Sequence, residues 1–473
     1  MNTPKHRHSV RSSRPLSKQG ASKPSQRSGA WLAIGICGAA LLSATAGALL
    51  AMAMTSTPLM QRSLSASEAS VFSKGDRILA GGGNLRLPGL TRPVNVLVLG
   101  VKVLTTDIAN PPPNLTKLRY QALVNSFDGL TDTMLLLRFN PETRKIALLS
   151  IPRDTKTEIP GHGVTKINAA NVYGGPALTA KSISQLLDGV GIDRYVTINV
   201  QGVQALIDAL GGVTVYVPKA LKYQDDSQHL YINLKAGKQH LNGEQALQML
   251  RFRYEEYGDI GRIQRQQMVM RALMEQALNP ATVARLPNIL SVIQSYVDTN
   301  LSVEELFALV SYASRTSRSD VQMLMLPGDF SSEGEYETSY WLPNYSQITS
   351  LMAQYFGIGT AFSHSLAPSS VKVTLQNSTN RQQLAEALVS RLGQVGYTNV
   401  ATMDQPFHEP LRTTRIVAQQ GDEESAKAIQ QALGFGEVWI ESTGDLASDV
   451  TIQLGQDGAG TPSSKTANPT NLQ

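Results

Sequence analysis

The chain has 473 residues, of which 42% are hydrophobic and 17% are charged, so it is long enough for two or three packed domains. Its net charge is +5, but seven of the 42 basic residues lie in residues 1–30, which contain no acid. The rest of the chain contains 35 basic and 37 acidic residues. The main part of the chain therefore lacks the basic excess of a nucleic-acid-binding protein, and no nucleic-acid partner is expected.

An uncharged run from Ser28 to Gln61 follows the basic tail. Within it, residues 31–54 supply 24 positions, and roughly 20 apolar residues cross a bilayer as a helix. The basic flank predicts a cytoplasmic N-terminus and a single-pass protein of the plasma membrane, in contact with membrane lipid, with residues 55–473 outside the cytoplasm. The alternative is a cleaved signal peptide, because "ATA" and "AMA" resemble cleavage sites.

Beyond a Ser- and Gly-rich linker at 55–90, strand and helix patterns alternate. The run "VNVLVLG" predicts a buried strand, and "TMLLLRFNPETRKIALLSIPRD" predicts a hairpin. Two helix–glycine–strand units follow, ending at "YVTINV" and "VTVYVP". Helices are then predicted over 242–253, 262–278, 283–297 and 303–315, with a late strand at "VQMLMLPG". This order predicts an α/β domain over 91–328, with a sheet between helices.

The remainder of the chain predicts a second, smaller α/β domain. Residues 329–370 lack long periodicity and are interpreted as a linker with some local order. From 371 to 457 the order strand–helix–strand occurs twice, and a final strand, "DVTIQLG", follows. Residues 458–473 have the low complexity of a disordered tail.

The stretch "RFRYEEYGDIGRIQRQQ" places four arginines at a junction between two predicted helices. Arg251 and Arg253 end the first helix, while Asp259, Arg262 and Gln266 are spaced to share one face of the second. Guanidinium forks suit phosphate, and a helix N-terminus adds N–H donors, so the junction can hold a diphosphate. The alternative is a solvated charged face in which two neighbouring glutamates neutralise two of the arginines.

Two further candidate groups lie at strand ends. Arg153 and Asp154 come directly after an apolar strand, where α/β proteins place ligand groups. The alternative is an ion pair on a strand-ending turn. Asp132 opens a strand and, taken alone, is a cap or turn residue. If Asp132 faces Arg153, a hard divalent cation between its carboxylate and a phosphate becomes sensible.

Other catalytic classes lack their motifs. The histidines have no metal-binding spacing, and the single cysteine, Cys37, lies in the apolar run, so a zinc hydrolase is not expected. No GxSxG, Walker A or GxGxxG element occurs in a supporting context. The arginine and aspartate groups therefore remain as the candidates.

Taken in order, "NVLVLG", "TDTMLLLRFNPETRKIALLSIPRDT", "KINAAN" and "RFRYEEYGDIGRIQRQQ" resemble the LytR-CpsA-Psr family over about 92–330, and 371–457 resembles the LytR C-terminal domain. The resemblance implies a membrane-anchored phosphotransferase. Such an enzyme moves a glycopolymer from a polyprenyl-pyrophosphate lipid to a peptidoglycan acceptor through a phosphodiester. The implied fold is an α/β sandwich, a central mixed sheet between helices, with an apolar prenyl cavity that has arginines at its mouth.

The resemblance also implies roles for individual residues, matched motif by motif. The aspartate of "TDT" would bind Mg²⁺, and the arginine of "PRD", the two arginines of "RFR" and the first arginine of "DIGRIQRQ" would contact the diphosphate. The implied catalytic residues are Arg153, Arg251, Arg253 and Arg262, which also bind substrate together with Lys166, Asn168 and Gln266. The implied metal ligand is Asp132, and Asp107 and Asp259 are candidates for further ligands.

Two departures from the family pattern affect the metal site. The family commonly reads GxD after the first strand, but Lys102 stands in that place and Asp107 comes five residues later. Leu130 stands where the family often has an arginine. Either Asp107 or Asp128 replaces the missing ligand, or Lys102 replaces the charge of the metal.

Two other functions are compatible with the same residues. A pyrophosphatase would pass the phosphate of the lipid to water, and a non-catalytic scaffold would only bind lipid or wall polymer. Regulation of transcription is not expected, because a 30-residue tail is too short to fold as a DNA-binding domain.

Overall fold

A computed structural model describes part of the chain, all of it within one compact unit, Pro58–Gln473. The predicted tail and the predicted membrane span lie outside the described residues, as do Asp107 and Arg253, and the side chains of Asp259 and Arg262 are not described. None of the described helices combines the length and the hydropathy that a membrane span requires. The described residues are 63–72, 78–79, 89–102, 127–225, 230–252, 258–332, 334–359, 367–379, 381–403, 409–419 and 421–460.

The described strands and α-helices have the following bounds. The strands are β1 Val94–Lys102, β2 Leu130–Asn140, β3 Lys145–Ile151, β4 Lys156–Ile159, β5 Gly163–Lys166, β6 Arg194–Asn199, β7 Val213–Val217, β8 Leu221–Asp225, β9 Leu230–Leu234, β10 Gly237–Leu241, β11 Val297–Thr299, β12 Val321–Met325, β13 Gly328–Phe330, β14 Trp341–Pro343, β15 Val373–Asn377, β16 Val400–Thr402, β17 Arg415–Ala418, β18 Glu437–Ile440 and β19 Val450–Leu454. The α-helices are α1 Ala66–Ala69, α2 Ala170–Leu186, α3 Val200–Ala209, α4 Gly243–Arg251, α5 Gly258–Ala277, α6 Leu286–Tyr296, α7 Val303–Ala313, α8 Tyr345–Leu351, α9 Gln382–Gln394 and α10 Glu423–Leu433.

A six-stranded mixed sheet, in the order β11-β6-β1-β2-β3-β12, forms the centre of the larger domain. Strands β1, β2 and β3 pair antiparallel in succession, whereas β6 joins β1 and β12 joins β3 in parallel. The predicted hairpin is confirmed, with Asn140 opposite Lys145 across its turn. The α/β class and the central mixed sheet are confirmed as well.

The apolar runs of the central strands follow from burial on both faces of this sheet. In β1, Leu97 and Leu99 join one core cluster, and Val94 and Val96 join the cluster on the opposite face. Alternate side chains of a strand point to opposite faces, so a strand covered on both sides is apolar throughout.

The helices between 242 and 315 form close to the predicted bounds, because capping residues mark their starts. Asn242 and Gln245 form a capping box at α4, and Ser302 and Glu305 form another at α7. Helix α5 begins at Gly258, earlier than the predicted 262, so position 259 lies within the helix.

Parts of both predicted linkers belong to the packed core. Phe72, from 55–90, is buried, and its ring centroid lies 5.0 Å from that of Tyr195. From 329–370, Trp341 and Phe356 are buried in the cluster that covers one face of the sheet. These elements are too short to show helical periodicity, and their apolar residues are therefore not recognised as core in the sequence.

The C-terminal domain is a five-stranded sheet in the order β16-β15-β19-β17-β18. The two predicted strand–helix–strand units are β15–α9–β16 and β17–α10–β18, and the predicted last strand is β19. Side chains from both units, among them Val373, Leu388 and Ile429, share one hydrophobic cluster with Ile452 of β19. The two units therefore share a single core.

Candidate functional site

Asp132 and Arg153 lie at the same edge of the central sheet. Strands β2 and β3 are antiparallel, with Met134 opposite Ile151, so the start of β2 is next to the end of β3. Arg153 Nη1 donates to Asp132 Oδ1 over 2.8 Å. The structure therefore brings together two residues that the sequence separates by 21 positions.

The same arginine has a second carboxylate partner. Arg153 Nε donates to Asp154 Oδ2 at 3.1 Å, and the Lys166 ammonium lies 2.9 Å from Asp154 Oδ1. Lys166 reaches this point because β5 pairs with β4 in a hairpin. The result is a row of alternating charges, Asp132–Arg153–Asp154–Lys166, hereafter called the charged row. Its side chains are between 23% and 28% exposed, so a ligand can reach them.

The electrostatics of the charged row keep Arg153 cationic. Burial alone would lower the pKa of its guanidinium, but Asp132 and then Asp154 more than offset that effect and raise it. Two of its nitrogens, Nε and Nη1, are occupied by these carboxylates. In the described part of the chain, Nη2 has no such partner, so it is the nitrogen available to an anion.

Asn168 and Asn171 fix the backbone around this edge. The Asn168 N–H donates to the Arg153 carbonyl at 3.3 Å, and its own carbonyl accepts from Thr131 Oγ1 at 3.4 Å. Asn171 Nδ2 donates to the carbonyls of Phe127 and Gly129, both at 2.8 Å. Asn168 was predicted as a substrate-binding residue, and its described contacts are made by its backbone. Asn171 was not predicted, although it ends the "KINAAN" motif.

Two tyrosines from the predicted linker border the charged row, and neither is among the predicted site residues. The Lys156 ammonium lies 3.9 Å from the ring centroid of Tyr336, and Lys166 lies 5.5 Å from that of Tyr340. The backbone N–H of Trp341 donates to the backbone carbonyl of Asp154 at 2.9 Å, which joins this segment to the charged row. The only sequence signal was the density of tyrosines in 329–370.

At the α4–α5 junction, one of the four arginines has a structural role. Arg265 is 4% exposed, and its Nε and Nη2 donate to the carbonyls of Met249 and Phe252, at 3.2 and 2.6 Å. It therefore satisfies carbonyls at the end of α4, where no intrahelical donor is available. Arg251 is the last residue of α4 and Gln266 lies in α5, both half-buried.

The described carboxylates provide only part of a metal site. No three His, Cys, Asp or Glu side chains come together among the residues that the structure describes. Asp154 already binds Arg153 and Lys166. Mg²⁺ usually takes one or two carboxylates, with phosphate and water completing its shell. Asp132 is suited to be one such carboxylate ligand. The other predicted metal ligands are Asp107 and Asp259, whose side chains the structure does not describe.

Comparison with protein families establishes the class of the protein. Residues 69–356 match the model of the LytR_cpsA_psr family, which is more than half of the chain. The chain belongs to this family. Residues 370–457 match a second model, described as LytR cell envelope-related transcriptional attenuator. Both predicted resemblances are thereby confirmed.

Individual relatives of this chain have different names. The regulatory protein MsrR of Staphylococcus aureus is 34% identical over 200 residues, which are 42% of this chain and 59% of MsrR. The polyisoprenyl-teichoic acid–peptidoglycan teichoic acid transferase TagU of Oceanobacillus iheyensis is 32% identical over 256 residues, 52% of this chain and 70% of TagU. B. subtilis TagV, which has a crystal structure, is 26% identical in sequence to this chain. The structural match has a TM-score of 0.46 and covers 57% of this chain and 98% of TagV.

Proposed function

We propose that this protein is a membrane-anchored phosphotransferase that moves a glycopolymer from a polyprenyl-pyrophosphate lipid to peptidoglycan. Membership of the LytR_cpsA_psr family supports this proposal, as does the similarity to TagU, a protein named for such a transfer. The single observation that carries it is the pairing of Asp132 with Arg153 at an accessible edge of the sheet. Both residues lie within residues 69–356, the stretch that matches the family model.

In this proposal the charged row binds and orients the diphosphate. Asp132 and Asp154 hold the guanidinium of Arg153 in place, so its remaining N–H groups are oriented before the lipid arrives. Fixed donors stabilise developing charge better than mobile ones, because they need no reorganisation during the reaction. Lys166 adds a second cation on the same edge, 2.9 Å from Asp154.

The chemistry requires placement and charge more than a protein nucleophile. The acceptor hydroxyl forms a bond to the sugar-side phosphorus, the anhydride P–O bond breaks, prenyl phosphate leaves and the hydroxyl proton is released. Arg153 and the junction arginines, Arg251, Arg253 and Arg262, compensate the charge on the bridging oxygen. Gln266 adds a donor from the same helix as Arg262.

We also propose a Mg²⁺ ion held by Asp132, with Asp107 and Asp259 as its further ligands. When bound, it supplies positive charge beside the phosphate oxygens. The position of Asp132 next to Arg153 supports this assignment, since a carboxylate beside the phosphate-binding guanidinium can direct a cation to the same phosphate.

The uncharged run at 31–54, preceded by the basic tail, supports an anchor in the plasma membrane. With the N-terminus in the cytoplasm, the α/β domains lie on the side where peptidoglycan is found. Anchoring then keeps the site near a lipid substrate that does not leave the bilayer.

The lipid assignment is tested by the binding of a polyprenyl pyrophosphate to the purified full chain. Arg153→Ala is expected to weaken binding at least about tenfold, since contacts to charged groups are strong. Arg412→Ala, at an exposed arginine of the C-terminal domain, is the matched control and is expected to bind as wild type does. Equal binding by Arg153→Ala and wild type would reject the role of the charged row.

A further inference from the structure

The C-terminal domain covers an edge of the central sheet. Strand β12 is the last strand of the six-stranded sheet, and β18 is the last strand of the five-stranded sheet. Met323 of β12 forms a parallel β-bridge with Glu441, the residue that follows β18. An edge strand exposes backbone groups that need covering, so this bridge joins the two sheets where each is otherwise open.

A partly buried ion cluster, centred on the fully buried Glu441, lies beside this bridge. Glu441 is fully buried and pairs with Arg318 of the larger domain, while Arg271 of α5 lies 3.7 Å from the same carboxylate. Arg271 is also 3.5 Å from Glu409, which Arg415 approaches at 3.1 Å. A buried charge is tolerated only when paired, so the fully buried Glu441, whose partners Arg318 and Arg271 belong to the larger domain, favours the docked arrangement of the domains over a separated one.

An aromatic ring completes the interface. The guanidinium groups of Arg318 and Arg415 lie 4.8 and 4.7 Å from the ring centroid of Trp439, one from each domain. Burial lowers the pKa of Arg318 to about 10, which still leaves it cationic at neutral pH. The contact therefore combines charge, stacking and backbone pairing.

Helix α5 has two sides with different partners. Gln264 Nε2 donates to the Gly444 carbonyl at 3.4 Å, and Arg271, two turns further on, contacts Glu441, so both meet the C-terminal domain. At about 100° per residue, position 266 lies roughly 200° around the helix from position 264. Positions 259 and 262 fall on the side of position 266. The domain contact is thus made on the side opposite the DxxRxxxQ motif.

We propose that the C-terminal domain is a positioning element for the site. Through Glu441 and Gly444 it contacts α5 on the side opposite the DxxRxxxQ motif and fixes the position of the helix. Arg271 and Gln264 are the positioning residues on the helix. The proposal rests on the proposed function, which assigns positions 259, 262 and 266 to the diphosphate. A helix fixed before the lipid binds loses less conformational freedom on binding, and its contacts are then more effective.

Hydrogen exchange of the full chain tests this proposal with Glu441→Gln, which keeps the shape of the side chain and removes its charge. Amides of α5 between 264 and 271 are expected to exchange at least about tenfold faster, since opening becomes easier when a buried charged contact is lost. Glu386→Gln, at an exposed glutamate of the same domain, is the control and should leave exchange in α5 unchanged. Gln264→Ala, a milder change, provides the same test if Glu441→Gln does not fold.

Lipid titration of the same variants gives the second result. Faster exchange in α5 together with an approximately tenfold weaker affinity for a polyprenyl pyrophosphate supports the positioning role, because the helix must then be ordered on binding. Unchanged exchange in α5, or unchanged affinity despite faster exchange, overturns it. Failure of the wild type to bind the lipid would refute the proposed function instead, and the exchange experiment would show separately whether the C-terminal domain orders α5.

Discussion

Arg153 lies between Asp132 and Asp154, and it uses a different nitrogen for each carboxylate. This geometry requires a planar fork with several donors, which lysine lacks. A lysine at this position keeps the charge but cannot hold both carboxylates and a phosphate together. The shape of the side chain therefore matters as much as its charge.

Arg153→Lys is accordingly expected to reduce the transfer rate by about 10²- to 10³-fold, the usual effect of losing one preorganised donor. The measurement is the initial rate at saturating lipid, so that a change in binding does not determine the result. Arg412→Lys is the control for a change of arginine to lysine at an exposed position. A wild-type rate for Arg153→Lys would show that the fork is not used.

The sequence indicates Asp132, Arg153 and Lys166 as candidates because each lies in a short motif beside a predicted strand end. It cannot indicate Asn171 or Tyr340, which act through backbone carbonyls and ring positions that only the folded chain brings together. The role of Arg265 is hidden for the same reason. Its carbonyl partners lie in another helix, and spacing alone does not separate it from its neighbours in the motif.

At the scale of elements, different residues of the α4–α5 junction serve stability and binding. Arg265 donates to carbonyls at the end of α4 and packs 5.4 Å from the ring centroid of Phe252. It anchors the start of α5 against α4. Among the described residues, Arg265 thus has a structural role at the junction, while Arg251 and the positions after Gly258 are the proposed contacts to the diphosphate.

Arg265→Ala is expected to lower the free energy of unfolding by about 2–4 kcal/mol, because it leaves buried carbonyls without donors. Urea denaturation of the full chain measures this change. Gln266→Ala, one position along, is the control and is expected to cost less than about 0.5 kcal/mol, while weakening lipid binding. Equal stability of both variants would contradict the structural assignment of Arg265.

The order of strands and helices follows from local apolar patterns, which are continuous runs in β1 to β3 and helical spacing in α4, α6 and α7. The pairing of β12 with β3 and the burial of Trp341 cannot be predicted from local patterns, because they depend on contacts between distant parts of the chain. Short segments such as β14 bury few residues each, so no local pattern reveals them.

At the scale of the whole molecule, the ion pairs of Glu409 at the contact between the domains make stability depend on pH. Burial alone would raise the pKa of the Glu409 carboxyl, but Arg415 and then Arg271 hold it below its ordinary value of 4.5. The unfolded chain therefore binds this proton more readily than the folded one. The contribution of Glu409 is complete above its ordinary pKa and is lost as pH falls through the lower folded pKa.

Unfolding free energies measured between about pH 3 and pH 6 are therefore expected to fall with acid more steeply for wild type than for Glu409→Gln. Glu386→Gln is the control for removing an exposed glutamate and should follow the wild-type slope. Parallel profiles for wild type and Glu409→Gln would show that the ion pairs of Glu409 with Arg415 and Arg271 do not contribute to stability.

The most direct test of the central claim is mass spectrometry of the products that the full chain forms from a polyprenyl-pyrophosphate-linked glycopolymer and peptidoglycan. The expected product is glycopolymer joined to peptidoglycan by a phosphodiester, with release of prenyl phosphate, and Arg153→Ala is expected not to form it. Free glycan phosphate without attachment would identify a pyrophosphatase. Bound but unchanged lipid would identify a scaffold, and either result would contradict the proposed transfer.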